Sequence, residues 1–220
     1  SSRTSVRVWW SPLKGGWREL FAHFGGEPVA CIDKSSWDWT MQGWVVDAIQ
    51  GLVLEYAYGA PEWYVSAVRA RFDLLFENAI FGFKDGTCIA QQGRGIMKSG
   101  CYMTIIFNSL AQLLLHTAAA RKVGMDVVKY WPECLGDDTI QSLPPDTAAY
   151  VESLESFGCK VKGVKKSAYL EFAGMCIDKD RMRPAYPVKH LFNLCYHEDA
   201  TFDAYLHDMQ VLWTYEPKMR

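Results

Sequence analysis

The apolar and polar positions of this chain fall into blocks whose period changes along its length. Residues 11–28 are rich in Gly and Pro and read as loop, with a short helix over 17–24. Pro28-Val-Ala-Cys-Ile-Asp33 is a short apolar run that ends in an acid, the pattern of a buried strand. Over 44–58 the apolar residues recur at helical spacing, and Pro61 opens a second helix that runs to about residue 78. Residues 79–90 predict a hairpin turning at Lys84-Asp85-Gly86. A long helix is expected over 99–123, with small residues at its start and Gly124 to end it. Strands over 127–135 and 139–143 flank Gly136-Asp137-Asp138. Pro144-Pro145-Asp146 caps a helix that Gly158 stops. Residues 160–164 and 169–178 are strand-like, the second broken by Gly174, and 187–213 are mostly helical. The order is a βαββαβ plan, an α+β fold in which helices back an antiparallel sheet.

Composition narrows this picture only a little. The 220 residues are 50% hydrophobic and 22% charged, so a sizeable core is within reach. Nine Trp, eleven Tyr and eleven Phe supply core packing first and base stacking second. Seven cysteines, none at CxxC spacing, read as reduced thiols and not as a zinc site. No apolar run is long enough to span a membrane, and the opening residues do not resemble a signal peptide. The net charge of −2 lacks the overall basic excess common in nucleic-acid binders. Its distribution is more informative. Acids stand at Asp33, Asp38, Asp137 and Asp138, while bases cluster at Arg94 and Lys98, at Arg121 and Lys122, and at Lys160, Lys162, Lys165 and Lys166. An enzyme that holds cations beside a phosphate backbone needs such a division.

Three short segments carry chemistry. Gly136-Asp137-Asp138 puts two adjacent carboxylates at a strand-to-strand turn, where they repel unless a cation neutralises them; a hard divalent ion with oxygen ligands suits them. Asp33 ends a buried strand, with Asp38 five residues on, and strand pairing would bring Asp33 beside that turn. Three carboxylates at one sheet edge can hold two Mg²⁺ ions, with Mn²⁺ as a substitute, for in-line phosphoryl transfer. Ser99, Thr104 and Asn108 then offer two hydroxyls and an amide near the start of one helix, suited to reading sugar hydroxyls, of which the 2′-OH separates RNA from DNA. Taken singly, each segment also has an ordinary explanation: a solvated turn, a strand-end cap, a helix-start serine.

In this order, D-x4-D, SGxxxTxxxN and GDD resemble motifs A, B and C of viral RNA-dependent RNA polymerases. Residues 157–167 are similar to motif D and 170–176 to motif E. Ser11-Pro-Leu-Lys-Gly-Gly-Trp17, Lys98-Ser-Gly100 and Val188-Lys-His-Leu-Phe-Asn-Leu194 resemble the sobemovirus- and polerovirus-like enzymes of positive-strand RNA viruses. The resemblance covers most of residues 11–195. It implies a right-hand polymerase palm with partial fingers and thumb: 1–28 a finger lead-in, 29–42 palm, 43–98 partly fingers, 99–180 palm and 181–220 the start of a thumb.

By that resemblance Asp33 and Asp137 ligate both metals, with Asp138 a weaker or indirect ligand. Asp38, Ser99, Thr104 and Asn108 read the ribose hydroxyls of the incoming nucleotide, and Gly100, Arg94 and Lys98 join the substrate contacts. Lys166 is the proton donor to pyrophosphate, with Lys165 and Lys162 as alternatives. The partners implied are an RNA template, nascent RNA, nucleoside triphosphates and other viral replication proteins, in the host cytoplasm. Two departures stand out. Ser35-Ser36-Trp37 replaces the family's small residue, Gly and Phe, and only Arg3 and Arg7 precede Pro12 where a basic motif F should contact triphosphate. A reverse transcriptase and a non-catalytic RNA-binding palm remain the competing classes. Leu135-Gly136 before the Asp pair, Asp38 and Asn108 favour RNA synthesis over the first.

Overall fold

The computed structural model describes residues 4–167 and 169–216. In chain order the elements are α1 (Gly16–Phe24), β1 (Val29–Lys34), α2 (Trp37–Thr40), α3 (Gly43–Tyr56), α4 (Glu62–Phe76), β2 (Ile80–Gly82), β3 (Cys88–Ala90), α5 (Thr104–Lys122), β4 (Glu133–Leu135), β5 (Asp138–Ser142), α6 (Thr147–Ser156), β6 (Val161–Ser167), β7 (Leu170–Phe172), β8 (Met175–Ile177), β9 (Met182–Pro184), α7 (Pro187–Cys195), a 3-10 turn (Asp199–Thr201) and α8 (Phe202–Leu212). Four strands form one sheet in the order β4-β5-β1-β6; β2-β3 is a separate hairpin and β7-β8-β9 a small sheet. The α+β plan of antiparallel sheets with helices is therefore present.

The chain forms two compact units. As far as they are described, the first holds residues 4–8, 32–139 and 144–164, and the second holds 9–31, 140–143 and 165–216. In the first unit α5 is the central helix. It packs against α3, α6 and β4. Its buried face runs through Phe107, Ala111, Leu115, Ala119 and Ala120, and the small residues let neighbouring helices approach closely. Phe107 meets Phe72 and Phe76 of α4 at ring-centroid distances of 5.5 and 6.4 Å. Each ring or branched chain buried this fully contributes roughly 1.5–3 kcal/mol. One polar network lies inside this core: Nδ1 of His116 faces the Tyr150 hydroxyl at 2.8 Å, and its Nε2 faces the Val127 carbonyl at 3.0 Å.

In the second unit α1 turns Trp17, Leu20 and Phe24 inward. Residues 29–31 of β1 pair antiparallel with 140–142 of β5, Cys31 opposite Ile140. Trp10 meets Phe172 edge to face at 5.4 Å. The third strand of the small sheet, Met182-Arg-Pro184, is not foreseen by the sequence pattern, because a three-residue run ending in proline carries little strand signal.

Two expected boundaries differ. The helix expected from 99 starts at Thr104, because Gly100 adopts φ 91° and the Thr104 hydroxyl donates to the carbonyls of Lys98 and Cys101 at 2.8 and 2.7 Å. The strand expected over 127–135 shrinks to Glu133–Leu135. Asp126 Oδ1 accepts from the backbone N–H groups of Val128 and Lys129, both at 3.0 Å, and this side-chain turn displaces the extended backbone.

Candidate active site

The acids are delivered by strand ends. β1 is buried over Val29–Ile32, turns Asp33 to solvent and buries Lys34 again. Continuing the β1–β5 register by two residues sets Asp33 opposite Asp138, where facing side chains share one side of a sheet. Gly136 and Asp137 make the tight turn between β4 and β5. Gly136 needs its residue type for conformation: its φ is 65°, while a Cβ there would meet nothing closer than Ile105 Cγ1 at 3.9 Å. Its N–H donates to the buried Ser109 hydroxyl at 2.9 Å, which pins the turn to α5.

The three acids nevertheless do not form a closed cluster. Among the described residues, no group of three or more His, Cys, Asp and Glu side chains is gathered closely enough to hold a metal ion. Lys162 Nζ stands 3.1 Å from Asp33 Oδ2, both side chains being largely exposed, so a cation already lies beside this acid. The donors fit a hard divalent ion in chemistry and in access, since Asp33, Asp137 and Asp138 all offer solvent-facing oxygens at neighbouring strand ends.

The second acid of the D-x4-D segment is held differently. Asp38 lies in α2, and its two carboxylate oxygens accept from the Ser99 hydroxyl and, at 3.1 Å, from Asn108 Nδ2. Its carbonyl accepts from the Met97 N–H at 2.8 Å, so the loop before α5 is tied down on the same residue. Asn108 is buried, and among the described residues its Oδ1 finds no donor. Of the residues assigned to ribose, the structure thus brings together Asp38, Ser99 and Asn108. Gly100 shapes the loop. Thr104 does not join them, because its hydroxyl is spent on the loop carbonyls.

The basic residues also sort themselves. The resemblance places Arg94 on substrate, but its guanidinium, 18% exposed, bonds Asp47 at 2.6 Å, Asp73 at 2.9 Å and Glu77 at 3.0 Å, bracing α3 against α4. Burial works against the Arg94 cation, yet Asp73, Asp47 and Glu77 together hold its pKa above the ordinary value. Lys98 donates to Gln91 Oε1 and to the Ile96 carbonyl, and burial lowers its pKa. It too serves the loop that precedes α5. Lys165 pairs with Glu171 at 2.5 Å, which raises its pKa; Lys166 is exposed on β6. Arg7 is buried and pairs with Glu133 at 2.5 Å. Arg3 lies outside the described residues.

Sequence reasoning misses Lys34. This side chain is 8% exposed and points to the face of β1 opposite Asp33. Its Nζ donates to Thr139 Oγ1 at 3.3 Å, and Thr139 in turn donates to the Ile32 carbonyl at 3.2 Å. Burial pushes its pKa below the lysine range, opposed by the nearby Cys134 and Cys159 thiols and by Asp137 and Asp33. The same burial pushes the Cys134 thiol up to about 12, so it is inert as a nucleophile. The available signal is a lysine directly after the acid, in a strand otherwise apolar.

Carboxylates at the ends of central antiparallel strands, with helices behind, are what a polymerase palm requires, and the solved structures agree on that class. The crystal structure of an insertion-loop deletion mutant of a human picorbirnavirus RNA-dependent RNA polymerase superposes with a TM-score of 0.64 at 17% identity, covering 80% of this chain and 35% of that one. The undeleted enzyme gives 0.59 at 18% identity. Sequence carries the assignment further. The family model for viral RNA-dependent RNA polymerase matches residues 2–216, and the chain belongs to that family. Similar proteins include replicase polyprotein P2AB of Southern bean mosaic virus, 35% identical over 116 residues, which are 52% of this chain and 11% of that protein. P2AB of Cocksfoot mottle virus is 30% identical over 156 residues, 65% of this chain and 16% of that protein. Protein P1-P2 of Turnip yellows virus is 28% identical over 169 residues, 74% and 14%. The chain thus spans about a sixth or less of these relatives and about a third of the solved polymerase.

Proposed function

We propose that this chain is the catalytic palm of an RNA-directed RNA polymerase that extends the 3′ end of nascent RNA with ribonucleoside triphosphates, on an RNA template, for viral genome replication in the host cytoplasm. The observation that carries the reading is the Asp38–Ser99–Asn108 cluster in the same compact unit as Asp33, Asp137 and Asp138. Asn108 fixes Asp38 from the buried side, and Ser99 is the exposed member of the cluster. A ribose 2′-hydroxyl can bond to the Ser99 hydroxyl, and a deoxyribose lacks that group.

The chemistry is an in-line displacement. The 3′-hydroxyl gives its proton to solvent water and attacks the α-phosphorus of the incoming nucleotide, the new P–O ester forms, and the bond to pyrophosphate breaks. Asp33 and Asp137 would hold two Mg²⁺ ions, or Mn²⁺, with Asp138 as a weaker ligand; the ions supply charge neutralisation and lower the pKa of the attacking hydroxyl. Asp38, Ser99 and Asn108 orient the sugar. Lys166 supplies the proton that pyrophosphate takes up on leaving.

The test is primer extension with the complete polymerase. Asp137→Asn and Asp33→Asn should each lower incorporation by roughly a hundredfold or more while circular dichroism stays unchanged. Undiminished incorporation in either variant would sink the site assignment.

A further inference from the structure

A buried lysine is an expensive residue. Its ammonium loses hydration, and an apolar side chain of similar length is as stable or more so in most interiors. Lys34 therefore calls for a physical reason. It sits on the strand that delivers Asp33, with its side chain on the opposite, buried face. Its amino group reaches Thr139, two residues after Asp137 and one after Asp138. Thr139 uses its proton toward the Ile32 carbonyl, the residue before Asp33, so its oxygen is left to accept from lysine. The chain of contacts runs β1 to β5 to β1 and brackets all three acids. The nearby thiols of Cys134 and Cys159 and the carboxylates of Asp137 and Asp33 partly offset the cost of the buried cation.

We propose that Lys34 is a positioning residue for the carboxylate site: with Thr139 it ties the two acid-bearing strand ends together from their buried side and so sets the separation of Asp33 from the Asp137–Asp138 turn. This rests on the polymerase reading, because it concerns how far apart that reading's ligands are held. It assigns Lys34 no contact with substrate. Groups hydrogen-bonded directly to metal ligands typically change metal affinity 10–100-fold when removed, and Lys34, which acts through Thr139, belongs at the low end of that range.

The test measures Mn²⁺ binding directly, by electron paramagnetic resonance titration of the full chain, alongside thermal melting. Lys34→Met is close in length and leaves the Thr139–Ile32 bond in place, so it should fold. It should weaken Mn²⁺ binding about tenfold. Thr139→Val should do the same, Thr139→Ser should keep the wild-type affinity, and the double variant Lys34→Met/Thr139→Val should be no weaker than the worse single one. If Lys34→Met does not fold, the Thr139→Val and Thr139→Ser pair carries the test alone.

Unchanged Mn²⁺ binding in folded Lys34→Met would overturn the proposal. So would tighter binding, which would mean that the lysine acts only as an unfavourable charge, and so would losses that add in the double variant. Wild-type protein that binds no Mn²⁺ would overturn the polymerase site itself and this proposal with it, an outcome distinct from the others because it does not depend on Lys34.

Discussion

Asp33 and Asp38 stand five residues apart on one segment, yet one is open and the other is held. Asp33 leaves a strand into solvent with an exposed lysine beside it. Asp38 has a donor on each carboxylate oxygen, from the loop before α5 and from α5 itself. An acid meant for a cation gains from remaining accessible, because every fixed hydrogen bond competes with the incoming ion. An acid meant to orient a neutral sugar gains from being fixed beforehand, because ordering it on binding would cost affinity. The segment thus has one end arranged in advance and one end open to solvent.

The sharpest way to break this comparison is Asn108→Ala. It removes the buried amide that fixes Asp38, and the preference for NTP over dNTP in primer extension should fall by about tenfold, roughly 1.4 kcal/mol. A collapse of all incorporation, of the kind expected for Asp137→Asn, would show that the two ends do not differ in role. Arg94→Met tests whether the held end depends on the α3–α4 brace. Its melting temperature should drop by a few degrees, on the order of 1 kcal/mol for a cluster with half-exposed partners, while NTP preference stays as in wild type. A changed preference would return Arg94 to the substrate contacts.

A third test uses pH. Burial lowers the His116 pKa, the bond to Val127 opposes this, and the Lys34 charge adds to the lowering. The unfolded chain then binds the proton more strongly than the folded one. The stability carried by neutral His116 is complete above about pH 6.5 and is lost as pH falls below it toward the folded pKa. Urea unfolding at pH 7.5 and 5.5 should show this loss, and His116→Gln should flatten it. The smallest effect is expected at Ser36, which lies between the two acids with φ 48° and ψ 44°. Ser36→Gly should stabilise by about 0.5–1 kcal/mol in the same assay, since glycine holds the left-handed conformation more cheaply. No gain would mean that the turn is not strained.

Much of the fold is legible in the order of residues alone. Apolar spacing and Pro61 announce α3 and α4. The cap of α6 follows from Asp146, whose Oδ1 does accept from the Ala149 N–H at 2.9 Å. The departure at Ser36 points to a turn, and the turn is left-handed. What stays hidden is the partner choice of long polar side chains. Arg94 and Lys98 lie near Ser99 in sequence, and nothing local reveals that Asp47, Asp73 and Glu77 claim Arg94 from α3 and α4, or that Lys98 turns back on Gln91 seven residues earlier. Lys34 is hidden for a related reason. Strand alternation assigns a lysine after an exposed acid to the inner face, but pattern reasoning rejects a buried charge. The Thr139 hydroxyl, with the charges of Asp137 and Asp33 nearby, makes that position tolerable.

The buried pair of Arg7 and Glu133 has a consequence in time. Residues 5–7 join β4 as a parallel neighbour, with Arg7 N–H donating to the Cys134 carbonyl and Cys134 N–H to the Ser5 carbonyl, both at 2.8 Å. The two charged partners are 126 residues apart in the chain. A ribosome adding about 5–20 residues per second makes Arg7 on the order of ten seconds before its counter-ion exists. For that interval residues 5–7 lack their partner strand β4. The edge beside the strand carrying the Gly-Asp-Asp turn is thus closed by one of the more distant pairings in the unit, which carries a high loop-closure entropy.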